Sequence, residues 1–174
     1  MTGVRALGRR PSPDSLVLAF EIEADLARVR VPAPLENPGI VHGLWEHTCC
    51  EAFVALDAAP REGFAYHELN LAPSGAWAAY GFRNYRVPSA VADESLAPRI
   101  SVTRSADRLE LEARVALDRL SPSYVGAPLR LALSAVVEEI DGTLSYWSLR
   151  HSAGRPDFHH ADAFALRLEA PPGG

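Results

Sequence analysis

Arg108-Leu109-Glu110-Leu111-Glu112-Ala113-Arg114-Val115-Ala116-Leu117 alternates apolar residues with charged or small ones along its length. Successive side chains of a strand point to opposite faces, so period two marks a half-buried strand. Leu16, Leu18, Phe20 and Ile22 alternate in the same way with Val17, Ala19, Glu21 and Glu23. Leu129, Leu131, Leu133, Ala135 and Val137 alternate with Arg130, Ala132, Ser134 and Val136. Further strand candidates lie at 26–31, 48–57, 64–72, 75–86, 99–104, 143–151 and 163–169. Turn residues separate them: Pro11-Ser12-Pro13-Asp14, Asn37-Pro38-Gly39, Pro73-Ser74-Gly75, Ser105-Ala106-Asp107 and Asp141-Gly142. The last, between two apolar strands, is a hairpin signal. About ten short strands with frequent turns predict an all-β antiparallel sandwich. The expected core includes Leu18, Phe20, Val54, Leu56, Leu69, Leu111, Val115, Leu131 and Leu133. Leu117–Tyr124 has room for one helical turn, and Pro122 stops it there.

At 174 residues the chain is read as one domain, ordered over 12–169, with residues 1–12 and the Pro-Pro-Gly-Gly tail frayed. No apolar run approaches the ~20 residues of a membrane-spanning helix. The start, Met1 to Pro11, shows no apolar segment of a secretory signal, so the expected location is cytoplasmic. The net charge of −5 argues against nucleic acid as a partner. All 17 basic residues are arginine, which removes Schiff-base, general-base and phosphate-loop lysines from consideration. Cys49 and Cys50 are adjacent, so strand geometry sends their thiols to opposite faces and forbids an ordinary disulfide between them.

Polar and aromatic residues concentrate in Gly43-Leu44-Trp45-Glu46-His47-Thr48-Cys49-Cys50-Glu51, Tyr66-His67-Glu68-Leu69-Asn70 and Trp77-Ala78-Ala79-Tyr80. On strand 48–57 the apolar set Cys50, Ala52, Val54 and Leu56 is assigned to the core, which sends Glu51 outward. On strand 64–72, Leu69 and Leu71 face the core, and Tyr66, Glu68 and Asn70 share the other face. On strand 75–86, Ala78, Tyr80 and Phe82 are read inward, and Trp77, Arg83 and Tyr85 outward. The expected outer face therefore collects Glu51, Tyr66, Glu68, Asn70, Trp77, Arg83 and Tyr85. Trp45 and Trp147 are assigned to its rim or to the core. Aromatic rings beside bidentate polar groups suit a small polar ligand, above all a sugar. The competing reading is a covered sheet face, on which Arg83 or Arg86 pairs with Glu51 or Glu68 and Trp77 sits under a loop. A large flat apolar patch would instead mark a protein-interaction module.

A second group closes the chain: Tyr146-Trp147-Ser148-Leu149-Arg150-His151, then Gly154-Arg155-Pro156-Asp157-Phe158-His159-His160-Ala161-Asp162. His151, Asp157, His159, His160 and Asp162 form a loose ligand set, but adjacent histidines fit a metal poorly. The favoured reading is a hydrogen-bonded loop with Asp157 capping backbone N–H groups and a histidine bridging to a carbonyl. His47 beside Cys49 lacks an orienting third residue for nucleophilic catalysis. Glu51 and Glu68 are conceivable as a hydrolase pair, but their separation is not legible.

The block from Gly43 to Glu51-Ala52-Phe53, then Tyr66-His67-Glu68-Leu69-Asn70-Leu71-Ala72-Pro73-Ser74-Gly75-Ala76-Trp77, resembles the DOMON-like superfamily. That grouping includes bacterial proteins labelled MurB-like and carbohydrate-binding module family nine. The Tyr146–His151 and Pro156–His160 segments resemble the bacterial subgroup, and the likeness covers roughly residues 12–169. It implies an immunoglobulin-like sandwich that binds sugar or haem and has no catalysis of its own. Haem-binding members use a methionine and a histidine, and the only methionine here is Met1. No histidine pair stands out as a replacement, so no cofactor is expected. The combined expectation is a non-enzymatic module for a small polar ligand, in particular a saccharide. Trp77 and Tyr85 would stack on it, while Glu51, Glu68, Asn70 and Arg83 would bond its hydroxyls.

Overall fold

The computed structural model describes residues 3–57, 64–92 and 94–171. It is an antiparallel β-sandwich. The strands are β1 (Gly3–Ser12), β2 (Ser15–Glu23), β3 (Cys49–Leu56), β4 (Tyr66–Leu71), β5 (Trp77–Asn84) and β6 (Val87–Val91). They continue as β7 (Arg99–Arg104), β8 (Arg108–Ala116), β9 (Leu129–Glu138), β10 (Leu144–Ser148) and β11 (Leu166–Leu168). A four-stranded sheet runs β1-β2-β8-β7, and a seven-stranded sheet runs β10-β9-β3-β4-β5-β6, with β11 also pairing with β9. A single helical turn, α1 (Leu117–Leu120), follows β8, and Pro122 opens a 3-10 turn that ends at Tyr124.

The alternating strands do what their pattern demands. Leu109, Leu111, Ala113 and Val115 of β8 are buried between the sheets with Leu16, Leu18, Phe20 and Ile22 of β2. From the larger sheet come Cys50, Ala52, Val54, Leu69, Leu71, Leu129, Leu131 and Leu133. Of the core residues expected from the sequence, Leu56 is the exception. It ends β3, where the chain leaves the sheet, and is 39% exposed.

The expected hairpin at Asp141-Gly142 joins β9 to β10, with Gly142 at φ 88° and Glu139 N–H donating to the Thr143 carbonyl at 2.8 Å. Three boundaries differ from expectation. Residues Gly3–Ser12 are a strand, tied to β2 from Gly3↔Glu23 to Ser12↔Ser15, rather than a frayed end. Segment 26–31 is no strand; Arg28 N–H bonds back to Asp25 O in a turn, and Val29 alone bridges to Glu139. Candidate 75–86 is β5 plus a hairpin into β6, whose Pro88 and Ser89 hid its strand character. The expected fraying of the tail falls, from residue 172 on, outside the described residues.

The seven-stranded sheet is buried on both faces over much of β3 and β9. A second apolar cluster of Phe53, Ala55, Tyr66, Ala132, Val136, Phe158, Ala163 and Phe164 lies on its outer side. Phe158 and Phe164 bring the 149–165 segment down over that part of the sheet. The rest of the outer face stays open, and the polar residues lie there.

Candidate functional site

Strand pairing builds the open part of the face. Glu51 of β3 lies opposite Asn70 of β4 on one side and Ser134 of β9 on the other. Glu68 of β4 lies opposite Tyr80 of β5 and Phe53 of β3. Cys49 lies opposite Val136, which lies opposite Tyr146 of β10. Directly opposed residues share a face, so Glu51, Glu68 and Val136 form a floor, with Tyr80 and Tyr146 at its margins. The result is a cleft of about 580 Å³. Trp45, Tyr80 and Phe82 wall it on the β5 side, and Tyr146, Leu144 and Phe158 on the β10 side.

Trp45 sits on a 3-10 turn (Leu44–Glu46) that opens at Gly43, φ 78°, and leads through His47 into β3. It is 42% exposed and meets the edge of Tyr80 at a centroid distance of 5.8 Å. The Tyr80 hydroxyl is fixed by His42 Nδ1 at 2.7 Å.

The floor carboxyls are held in different ways. Asn70 is fully buried and donates through Nδ2 to Glu68 Oε1 at 2.7 Å. His159 Nε2 stands 3.5 Å from Glu68 Oε2. The Tyr66 hydroxyl accepts from Arg86 N–H at 3.1 Å and lies 2.8 Å from His159 Nδ1. Arg86 N–H is a donor to Tyr66, so Nδ1 is the acceptor open to the Tyr66 proton; in that tautomer the ring proton sits on Nε2 facing Glu68. Burial and the nearby Arg86 guanidinium push the His159 imidazole down to about 4, so it is neutral near pH 7. Burial raises Glu68 despite the Asn70 bond and Arg86. Glu51 is pushed up to about 8 by burial and by Glu68. The Ser134 hydroxyl across the ladder favours ionised Glu51, yet Ser134 Oγ lacks full hydrogen-bond geometry to any partner.

Arg86 reaches the cleft because the chain bends. The β5–β6 ladder shifts register after Gly81 and again after Phe82, and Arg86 takes φ 53° at the hairpin tip. Irregularities of this kind re-aim side chains next to functional surfaces. Asp157 Oδ1 holds Arg86 Nη2 at 2.9 Å, and Asp157 Oδ2 accepts from the Tyr85 hydroxyl at 2.5 Å. Asp157 also caps His159 N–H at 3.1 Å, as expected for a hydrogen-bonded loop. His159 itself bridges to the Tyr66 hydroxyl rather than to a carbonyl. Among the described residues no three His, Cys, Asp or Glu side chains gather as a metal ion would require.

Of the residues singled out in the sequence, Glu51, Glu68 and Trp45 line the cleft. Tyr66 and Asn70 lie on the same face but wholly buried, where they position His159 and Glu68. Tyr85 stands beside the cleft, joined to it through Asp157. One outward placement is corrected, and Trp147 takes the core alternative expected for it. Trp77 pairs with Leu71 and is buried between the sheets at 4% exposure, so it offers no outer platform. Arg83 is exposed at the irregular end of β5, where the ladder to β6 shifts register between Phe82 and Asn84, and it does not line the cleft. Trp147 packs against the inter-sheet core with its Nε1 on Ser145 Oγ. Conversely Tyr80 and Phe82, read as core, are cleft walls. Both faces of β5 are apolar, so composition could not choose between them, and only pairing with β4 does. Arg86, His159 and Tyr146 were visible as residues, but their convergence depends on the hairpin bend and the returning segment.

No family model and no curated protein sequence matches the chain. Solved structures do. A protein from Bacteroides uniformis proposed to bind carbohydrate superposes with TM-score 0.69 at 16% identity, over 95% of this chain and 77% of that one. A carbohydrate-binding module of family 9 from Caldicellulosiruptor kristjanssonii, in complex with glucose, gives TM-score 0.54 at 12% identity, over 97% and 78%. The same organism's family 9 module with cellotriose gives 0.52 at 12%, over 97% and 76%. At these identities the likeness is one of fold: this chain has a family 9-like β-sandwich.

Proposed function

We propose that this protein is a non-catalytic saccharide-binding module of the DOMON-like type, and that its ligand lies in the cleft over Glu51 and Glu68. The observation that carries this is a sheet-face cleft with aromatic walls and buried carboxyls on its floor. Sugar rings present apolar C–H faces to aromatic rings and hydroxyls to bidentate polar groups. Trp45, Tyr80 and Tyr146 supply the rings; Glu51, Glu68 and Arg86 supply the hydrogen bonds. Support comes from the fold shared with modules solved with glucose and cellotriose.

The non-catalytic reading is supported by the fold shared with carbohydrate-binding modules. On the floor, burial raises both the Glu51 and the Glu68 carboxyl.

The test is a calorimetric screen of mono- and oligosaccharides, followed by Tyr80→Ala and Glu68→Gln on any hit. Each variant is expected to weaken binding by about tenfold or more, the size of a lost stacking surface or charge-assisted hydrogen bond. A hit whose affinity is unchanged by both substitutions would place the site elsewhere.

A further inference from the structure

The cleft is short of positive charge and rich in buried carboxyl. Glu46, Glu51 and Glu68 line it, and Arg86 is the one arginine of its lining. Arg86 is already engaged, with its guanidinium on Asp157 at 2.9 Å and over the Tyr85 ring at 5.8 Å. Among the described residues neither Glu51 nor Glu68 forms an ion pair with an arginine; the histidine beside Glu68 is neutral near pH 7. Glu51 is 3% exposed, and beside it across the ladder Ser134 Oγ is buried without full hydrogen-bond geometry to any partner. The floor therefore carries unspent acceptor capacity inside a ring of aromatic side chains. Electron-rich ring faces around a carboxyl are the arrangement that recognises an organic cation.

On the saccharide reading above, we propose that the cleft selects a sugar bearing a free, protonated amine, with Glu51 as its counter-ion and Trp45 and Tyr80 around the ammonium. An N-acylated sugar lacks the charge, and an acidic sugar offers no cation for Glu51 to pair with. The protons balance simply. Free Glu51 carries a proton near neutral pH, since burial and Glu68 hold it up to about 8. A bound ammonium favours the carboxylate, so Glu51 releases its proton to solvent as the N–H···O pair forms. The groups acting on Glu51 are Glu68 from β4, Arg86 from the β5–β6 turn, Ser134 from β9 and the un-ionised thiols of Cys49 and Cys50 on its own strand; His159 stands against Glu68. None of these needs to change its proton for the pair to form.

The experiment compares glucose, glucosamine and N-acetylglucosamine by calorimetry on the full chain at about pH 6.5, below the range in which amines lose their proton. Glucosamine is expected to bind about tenfold or more tighter than the other two, the range of a charge-assisted hydrogen bond. In Glu51→Gln that ratio should fall to near one. Titrations of the wild type in two buffers of different ionisation enthalpy should show about one proton released with glucosamine and none with glucose, a readout independent of how the variant folds. Equal binding of the three sugars, or preference for glucose, overturns the amine proposal and leaves the saccharide reading standing. A ratio unchanged in Glu51→Gln, or no proton release, removes Glu51 as counter-ion. Binding of no sugar at all overturns both readings.

Discussion

Replacing Glu51 by glutamine should make the protein's stability respond differently to pH. Glu51 sits at 3% exposure with its carboxyl raised from an ordinary 4.5 to about 8 by burial and by Glu68. A carboxyl raised on folding binds its proton more tightly in the folded state. Its contribution is therefore fully present below about pH 4.5 and is lost as pH rises to about 8. That displacement is worth on the order of 3–5 kcal/mol of unfolding free energy. Glutamine keeps the shape and cannot ionise. His159 works in the opposite sense: lowered from 6.5 to about 4, it destabilises the fold as pH falls through that window. The two slopes oppose each other between about pH 4.5 and 6.5, so the clean window for Glu51 is above pH 6.5. Urea denaturation followed by circular dichroism, at steps from about pH 5 to pH 9, measures the effect. Relative to wild type, Glu51→Gln should gain several kcal/mol across that range, on top of any constant offset from a buried amide. A difference between the two proteins that stays flat from pH 5 to pH 9 would mean that Glu51 ionises freely and that the floor is not the desolvated environment described here.

Other consequences are simpler. Leu131→Ala should destabilise by about 2–5 kcal/mol in the same assay, because Leu131 is fully buried between the sheets. Leu56→Ala, at 39% exposure, should cost well under half of that, and equal losses would contradict the placement of β3. Both cysteines are buried, and burial together with Glu51 drives their thiols away from the thiolate. A thiol reagent such as 5,5′-dithiobis(2-nitrobenzoate) should leave the native protein unmodified and label both positions in denaturant; fast labelling of the native state would show that β3 opens.

Period-two alternation made most strands legible, and β3 and β4 took their correct faces because Glu51 marks the outer side of β3 while Glu68 and Asn70 alternate with Leu69 and Leu71 on β4. Glu51, Glu68, Tyr66 and Asn70 were consequently grouped together correctly. On β5 the pattern falls silent: Trp77 and Ala79 on one side compete with Ala78, Tyr80 and Phe82 on the other. An outer face that carries its own apolar cluster defeats the rule that apolar residues point to a single core. One reversed strand moved Trp77 to the wrong side and hid Tyr80. Arg86 and His159 depend on a bent hairpin and on a segment that returns to Arg86 from 71 residues away in sequence, and no local pattern reports such contacts.

The central claim is that a saccharide binds over the outer face of the seven-stranded sheet, and tryptophan emission reads it most directly. Of the three tryptophans, Trp45 alone lines the cleft; Trp77 lies buried between the sheets and Trp147 packs against the same core. Titration of the wild type with the best saccharide from the screen should give a saturable change in emission that survives in Trp147→Phe and disappears in Trp45→Phe. A saturable change that persists undiminished in Trp45→Phe would put the ligand elsewhere and contradict the account.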